Sequence, residues 1–172
     1  MRQRFLAFFA LFLALGLFGC DHASKHYAAT RLQPPASPLA VVPGVVELRY
    51  TENHDTAFSL TRVVSSANKS SILVGLALLG VVAVGAAWWR RRKTASPLQH
   101  VAFAAIASGA LGNAVDRVLR GFVVDFIHVR VGWLDWPIFN VADVAVTIGV
   151  ALLLVSELRK KPNAEPAPPP PA

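Results

Sequence analysis

The chain has 172 residues, 54% of them hydrophobic and only 16% charged, with a formal net charge of +7. Ordinary soluble domains carry about 25% charged residues, so the composition excludes one and indicates a single membrane-embedded unit. The lone cysteine, Cys20, excludes an intramolecular disulfide and a Cys-rich metal site.

In chain order, the first apolar stretch covers 5–20 and follows Arg2 and Arg4. A spanning helix needs about 20 residues, so this one must extend into polar sequence, to about 28. That extension places Asp21 and Lys25, one helical turn apart, at membrane-interface depth, where they can pair as an anchor or meet a substrate. The same start resembles a cleaved secretory signal, with Cys20 as a lipidated first residue. Phe18 is bulky for that site, and three more apolar spans follow, so the spanning helix is the better reading.

Residues 32–38 contain three prolines and form an exit loop. From about 40 to 62 the pattern is β-rich, with Val45-Val46-Glu47-Leu48-Arg49-Tyr50 partly alternating, and predicts a small extracytoplasmic sheet. Three further uncharged stretches, 70–89, 94–115 and 144–156, predict spans at about 70–90, 96–118 and 138–158. Trp88, Trp89, Trp133 and Trp136 fit the aromatic belts of a membrane protein. Residues 162–172 are rich in Pro and Ala and read as a disordered tail. The fold class expected is an all-α membrane protein, four transmembrane helices with a small extracytoplasmic β element and loop. Residues 1–161 form one domain.

Nine cations (Arg2, Arg4, Arg90, Arg91, Arg92, Lys93, Arg159, Lys160 and Lys161) flank the spans on one side, with Glu157 and Glu165. They hold the whole net charge, which by the positive-inside rule places both termini in the cytoplasm. The basic balance is therefore topology, and no aromatic and basic stripe supports nucleic-acid binding.

Two aspartates, Asp125 and Asp143, stand beside apolar runs, where a membrane helix should begin or end. Intramembrane carboxylates cost on the order of 3 kcal/mol each and call for a functional reason. Asn113 and Asp116 repeat the spacing of Asn140 and Asp143, which sets each pair on one helix face. Helix capping explains either pair alone, but explains both together with Asp125 less well. His22 and His26 have a metal-compatible spacing but no evident third ligand, so no metal is expected. His54, His100 and His128 read as isolated surface or interface residues.

These segments together resemble lipoprotein signal peptidase (signal peptidase II), a family of bacterial membrane aspartyl proteases. The likeness is carried by Asp21-His22-Ala23-Ser24-Lys25, by Val42-Pro43-Gly44 leading to Asn53-His54-Asp55-Thr56-Ala57-Phe58-Ser59, and by Gly112-Asn113-Ala114-Val115-Asp116-Arg117. Val123-Val124-Asp125-Phe126 and Trp136-Pro137-Ile138-Phe139-Asn140-Val141-Ala142-Asp143 complete it. One departure is Asp55, where the family favours glycine; it alters the loop over the site and adds a carboxylate there.

The resemblance implies cleavage of prolipoproteins before a diacylglyceryl-modified cysteine at the inner membrane, with the site on the extracytoplasmic side. Asp125 and Asp143 would be the catalytic dyad, with no cofactor. Asn53, Asn113, Asp116, Arg117, Asn140, Asp21 and Lys25 would support the dyad or hold substrate, and Arg117 could pair with Asp116. A single chain supplies both aspartates, so a monomer suffices, with membrane lipid as the other partner. The rival readings are a catalytically impaired relative that binds lipoproteins and a small membrane transporter.

Overall fold

A computed structural model describes residues 1–54 and 66–159, without the side chains of 66–70. Asp55, the rest of the loop to 65 and the tail therefore lie outside the described residues. The elements are α1 (Arg2–Arg31), β1 (Leu39–Val42), β2 (Val46–Asn53), α2 (Ser66–Arg91), α3 (Pro97–Arg120), β3 (Val123–Val131), β4 (Leu134–Asp135) and α4 (Val141–Leu158).

All four helices are long and apolar enough to cross a membrane. Three of them show bare Phe, Leu and Val side chains outward, among them Phe5, Phe12, Leu79, Val82 and Leu154. Such surfaces are stable only against lipid. The exception is α3, the hub, where over half of the apolar window is buried while the other helices surround it. Ser96 caps its start through a reciprocal bond with Gln99, with Pro97 in the first turn. Its close contact with α4 depends on glycine: a Cβ at Gly109 would strike the Ala142 carbonyl, and one at Gly149 would come within 2.8 Å of the Ala102 carbonyl.

The helix ends that carry the basic clusters meet at one end of the bundle. There Gln3 donates to the Ala95 carbonyl at 3.4 Å, Arg91 pairs with Glu157 at 2.6 Å, and Gln99 donates to Glu157 at 3.1 Å. His100 is buried in this cluster between Trp88 and Gln3, each at 3.2 Å, rather than at a surface.

At the opposite end sits an antiparallel sheet in the order β1-β2-β3-β4. The sequence reading anticipated only its first half. Residues 123–131 form a strand, so Asp125 lies within β3 and not at a helix edge. The run Val123-Val124-Asp125-Phe126-Ile127-His128-Val129 shows no apolar–polar alternation, since its apolar residues fall on both faces. Both faces are in fact covered, as expected of an interior strand. Val124 and Phe126 pack on Ala28 and Leu32 at the end of α1, which seats the sheet on the bundle.

Candidate active site

The sheet brings the polar groups together in a few steps. α3 ends at Gly121, whose φ of 81° lets the chain reverse. β3 then starts two residues later and runs back along β2. Beyond the β4 turn the chain returns to β3, where Phe139 and Ile127 exchange backbone hydrogen bonds at 2.8 and 3.0 Å. That pairing delivers the next residue, Asn140, to the flank of Asp125.

Asn140 is fully buried and begins α4. Its Oδ1 accepts from the Asp143 N–H at 3.0 Å, and its own N–H donates to Asp143 Oδ2 at 3.2 Å. This reciprocal cap needs an acid three residues after the cap, a spacing that also fixes where Asp143 points. The Nδ2 of Asn140 donates to Asp125 Oδ1 at 2.6 Å and to Asn113 Oδ1 at 3.2 Å. Asn113 in turn donates to Asp143 Oδ1 at 2.7 Å. The two aspartates are thus tied to one amide pair, Asn113 and Asn140. Capping accounts for Asn140 and Asp143; Asn113 and Asp116 sit inside α3 and cap nothing.

A bulge supplies the last direct partner. Between Leu48 and Thr51 the β2–β3 register shifts, so three steps on β2 match two on β3. Asn53 therefore faces Val123, diagonal to Asp125, and its Nδ2 donates to Asp125 Oδ2 at 2.8 Å. An unshifted register would put Glu52 there and bring a third carboxylate to the site.

Beneath the pair lies a buried ionic network. Lys25 Nζ contacts Asp21 Oδ2 at 2.8 Å, Asp116 Oδ2 at 3.0 Å and Asn113 Oδ1 at 2.9 Å. Asp21 Oδ1 also accepts from the Ala142 N–H at 2.8 Å in the first turn of α4. With Asp21 and Lys25 essentially inaccessible, the geometry favours an internal anchor over substrate contact. The cations on Asp116 are Lys25 and Arg120, the latter at 3.1 Å, where the sequence suggested Arg117. Arg117 instead donates to the Asn113 carbonyl at 3.4 Å.

Gly112 stands in the sequence reading only as the first residue of the 112–117 motif, with no role assigned to it. A Cβ there would come within 2.5 Å of Asp21 Oδ2, so only glycine admits that carboxylate against α3. The signal available was a glycine directly before Asn113 in an otherwise apolar helix. His128 was also misjudged: it is buried in the sheet between Glu47 at 2.8 Å and Asp135 at 2.6 Å. Its partners come from β2 and β4, which cannot be found before β3 is recognised as a strand.

Electrostatics sets Asp125 apart. Burial pushes its carboxyl up to about 6, and the Asp143 charge adds to the rise, while the Asn53 and Asn140 hydrogen bonds hold it back. A carboxyl near neutrality beside a second carboxyl is suited to sharing a proton.

Comparison with known proteins gives the same picture throughout. The family described as signal peptidase (SPase) II matches residues 13–159. The lipoprotein signal peptidase of Moorella thermoacetica is 38% identical over 143 residues, covering 83% of this chain and 88% of that protein. That of Geobacter sulfurreducens is 37% identical over 154 residues, covering 90% and 94%. A solved structure described as a bacterial membrane enzyme superposes with a TM-score of 0.75 at 27% identity, over 94% of both chains.

Proposed function

The chain belongs to the signal peptidase II family and cleaves the signal peptides of prolipoproteins; we propose that it does so as an aspartic endopeptidase. Asp125 and Asp143 share one proton and activate one water between them. The ionised carboxylate takes a proton from the attacking water, and the protonated one donates a hydrogen bond to the scissile carbonyl. Collapse of the tetrahedral intermediate returns a proton to the leaving amine. The observation that carries this reading is the common tether: Asn140 bonds both Asp125 and the backbone N–H of Asp143, and so holds the pair in fixed relation.

Asn113 and Asn140 orient the dyad, and Asn53 lies at the loop side, where it meets the substrate backbone as well as Asp125. Asp21, Lys25 and Asp116 support the site from below, and Arg117 helps to hold Asn113. The basic end of the bundle faces the cytoplasm, with both termini there, and the sheet and dyad face outward from the inner membrane. The protein acts as a monomer.

The substrate enters sideways from the bilayer and is cut before a diacylglyceryl-modified cysteine. Its acyl chains gain little on passing from lipid to the protein's apolar face, so shape and headgroup contacts select it. An unlipidated prolipoprotein should then be a poor substrate, and efficient cleavage of one would overturn this account of selection.

The direct test is cleavage of a diacylglyceryl-modified prolipoprotein by the purified chain in detergent, beside Asp125→Asn and Asp143→Asn. Both variants keep side-chain size and lose the titrating acid. Full loss of cutting in both, with the fold retained, is the expected result. Cutting at the parent's rate by either would remove the aspartic mechanism.

A further inference from the structure

Lys25 is fully buried, and the mechanism above gives it no part beyond support. Its ammonium lies 2.9 Å from Asn113 Oδ1. An ammonium only donates, so it fixes which end of the Asn113 amide faces it. Asn140 Nδ2, at 3.2 Å, is a second donor on the same oxygen. Turned end for end, Asn113 would set its own N–H groups against both. Its Nδ2 is therefore committed to Asp143 Oδ1, at 2.7 Å.

The other donors on the dyad sort in the same way. Asp143 Oδ2 faces the backbone N–H of Asn140, which cannot become an acceptor. Asp125 Oδ1 faces Asn140 Nδ2, and that amide is held because its oxygen caps the Asp143 N–H. Asp125 Oδ2 faces Asn53, a half-buried side chain that ends β2. An oxygen that takes a proton becomes a poor acceptor and strands the donor in front of it. Both oxygens of Asp143 and one of Asp125 thus face donors locked by the buried fold. Protonation costs least at Asp125 Oδ2, where the donor is the side chain at the strand end.

The surrounding charges agree. Lys25 and Asp21 act on Asp143 from α1, Arg117 from α3, and Asp125 stands beside it on β3. Asp21 and Asp116 both pair with Lys25, at 2.8 and 3.0 Å. Arg117 interacts more strongly with Asp143 than with Asp125 or Asp116. We propose that Lys25 is a positioning residue of the dyad: through its charge and its hold on Asn113, it makes Asp143 the ionised base and leaves the shared proton on Asp125 Oδ2.

The proposal rests on the aspartic reading and gives each acid one task. Asp143 takes a proton from water as the water oxygen adds to the scissile carbon, and Asp125 gives its proton to the carbonyl oxygen. On collapse the C–N bond breaks. The proton on Asp143 passes to the leaving amine, and the re-forming carbonyl returns the other to Asp125, which restores the starting state.

Protonation can be read without turnover, so this assignment and the aspartic reading fail separately; the latter falls if the Asn variants still cut. The full chain, isotope-labelled at the aspartate carboxyl carbons, is titrated by NMR in micelles. Lines are assigned by their loss in Asp125→Asn and Asp143→Asn. Where the pair holds one proton, the Asp125 line should lie at the protonated position and the Asp143 line at the ionised one. In Lys25→Met the Asp143 line should move toward the protonated position. Loss of the cation makes the base easier to protonate, so the acid limb of kcat/KM should rise by about one pH unit. A merely structural role would lower the amount of active enzyme and leave the limb in place. If Lys25→Met fails to fold, the double variant Lys25→Met with Asp21→Asn and the parent's own lines decide the matter. The double variant's limb should also stand above the parent's. A protonated Asp143 line in the parent, two equally protonated lines, or an unmoved limb in a folded Lys25 variant would overturn the proposal.

Discussion

Asn140 donates through Nδ2 to Asp125 Oδ1 at 2.6 Å while its Oδ1 caps the helix that carries Asp143. One side chain thus performs a folding task with its oxygen and a site task with its nitrogen. The two tasks can be separated by substitution. Asn140→Asp keeps a good cap acceptor but loses the donor and adds a carboxylate beside Asp125. It should abolish cleavage and cost more stability than loss of the cap alone, because a buried carboxylate then faces Asp125 Oδ1 and Asn113 Oδ1. Asn140→Ala loses both, with about 1 kcal/mol of stability lost from the missing cap. Paired Tm and cleavage measurements on the two variants check this, and equal Tm losses would contradict it.

Lys25 should be the most costly residue of the network to remove. Lys25→Met leaves Asp21 and Asp116 buried without their shared ammonium, and breaking a buried pair in this way costs about 3–5 kcal/mol. Adding Asp21→Asn to Lys25→Met removes one stranded charge and should recover part of the loss. Denaturation in mixed micelles, compared across the single and double variants, reads the recovery. A double variant less stable than Lys25→Met would show that the charges are not the cause.

The pH profile should report the dyad. With the Asp125 carboxyl pushed up to about 6 by burial, the shared proton is lost as pH rises through that region, and kcat/KM should fall above it. Bound substrate excludes more water and raises the limb further in kcat than in kcat/KM. Asn53 stabilises the ionised form by donating to it, so Asn53→Ala should move the alkaline limb upward even as it slows cleavage. A limb displaced downward would contradict the assignment.

His128 should give the sheet its own pH dependence. The Glu47 hydrogen bond, then that of Asp135, raises His128, and the same bonds lower both carboxyls. Burial, and then the Arg49 charge, oppose His128 protonation but do not reverse its rise, while Arg130 pairs with Asp135. The histidine's contribution is full below about pH 6.5 and is lost as pH rises through its raised folded value. The carboxylates' contribution is present above their ordinary range, about 4, and is lost as pH falls through their lowered values. The sheet should be firmest between these limits. Amide exchange in β3 should quicken at alkaline pH, and His128→Gln should flatten that dependence. An unchanged slope would show that the clip contributes nothing.

Much of this protein can be read along its chain because lipid is a severe solvent. Every stretch that crosses it must be long, uncharged and helical, so composition and length alone located the four helices. The cost of carboxylates near lipid likewise singled out Asp125 and Asp143, the length a span requires placed Asp21 at the interface, and helical spacing paired Asn113 with Asp116 and Asn140 with Asp143. What could not be read is which group touches which. Asp125 was displaced from a helix end to an interior strand because a short strand buried on both faces has no distinctive period. Arg117 gave way to Arg120 and Lys25 on Asp116, since choosing among nearby cations depends on angles that only packing sets. Asn53 reaches Asp125 through a one-residue bulge, and His128 finds its acids across two strand pairings. Residue chemistry follows from the chain locally, but partners joined over long sequence separations are decided by register, helix contact and the close approach that a glycine such as Gly112 permits.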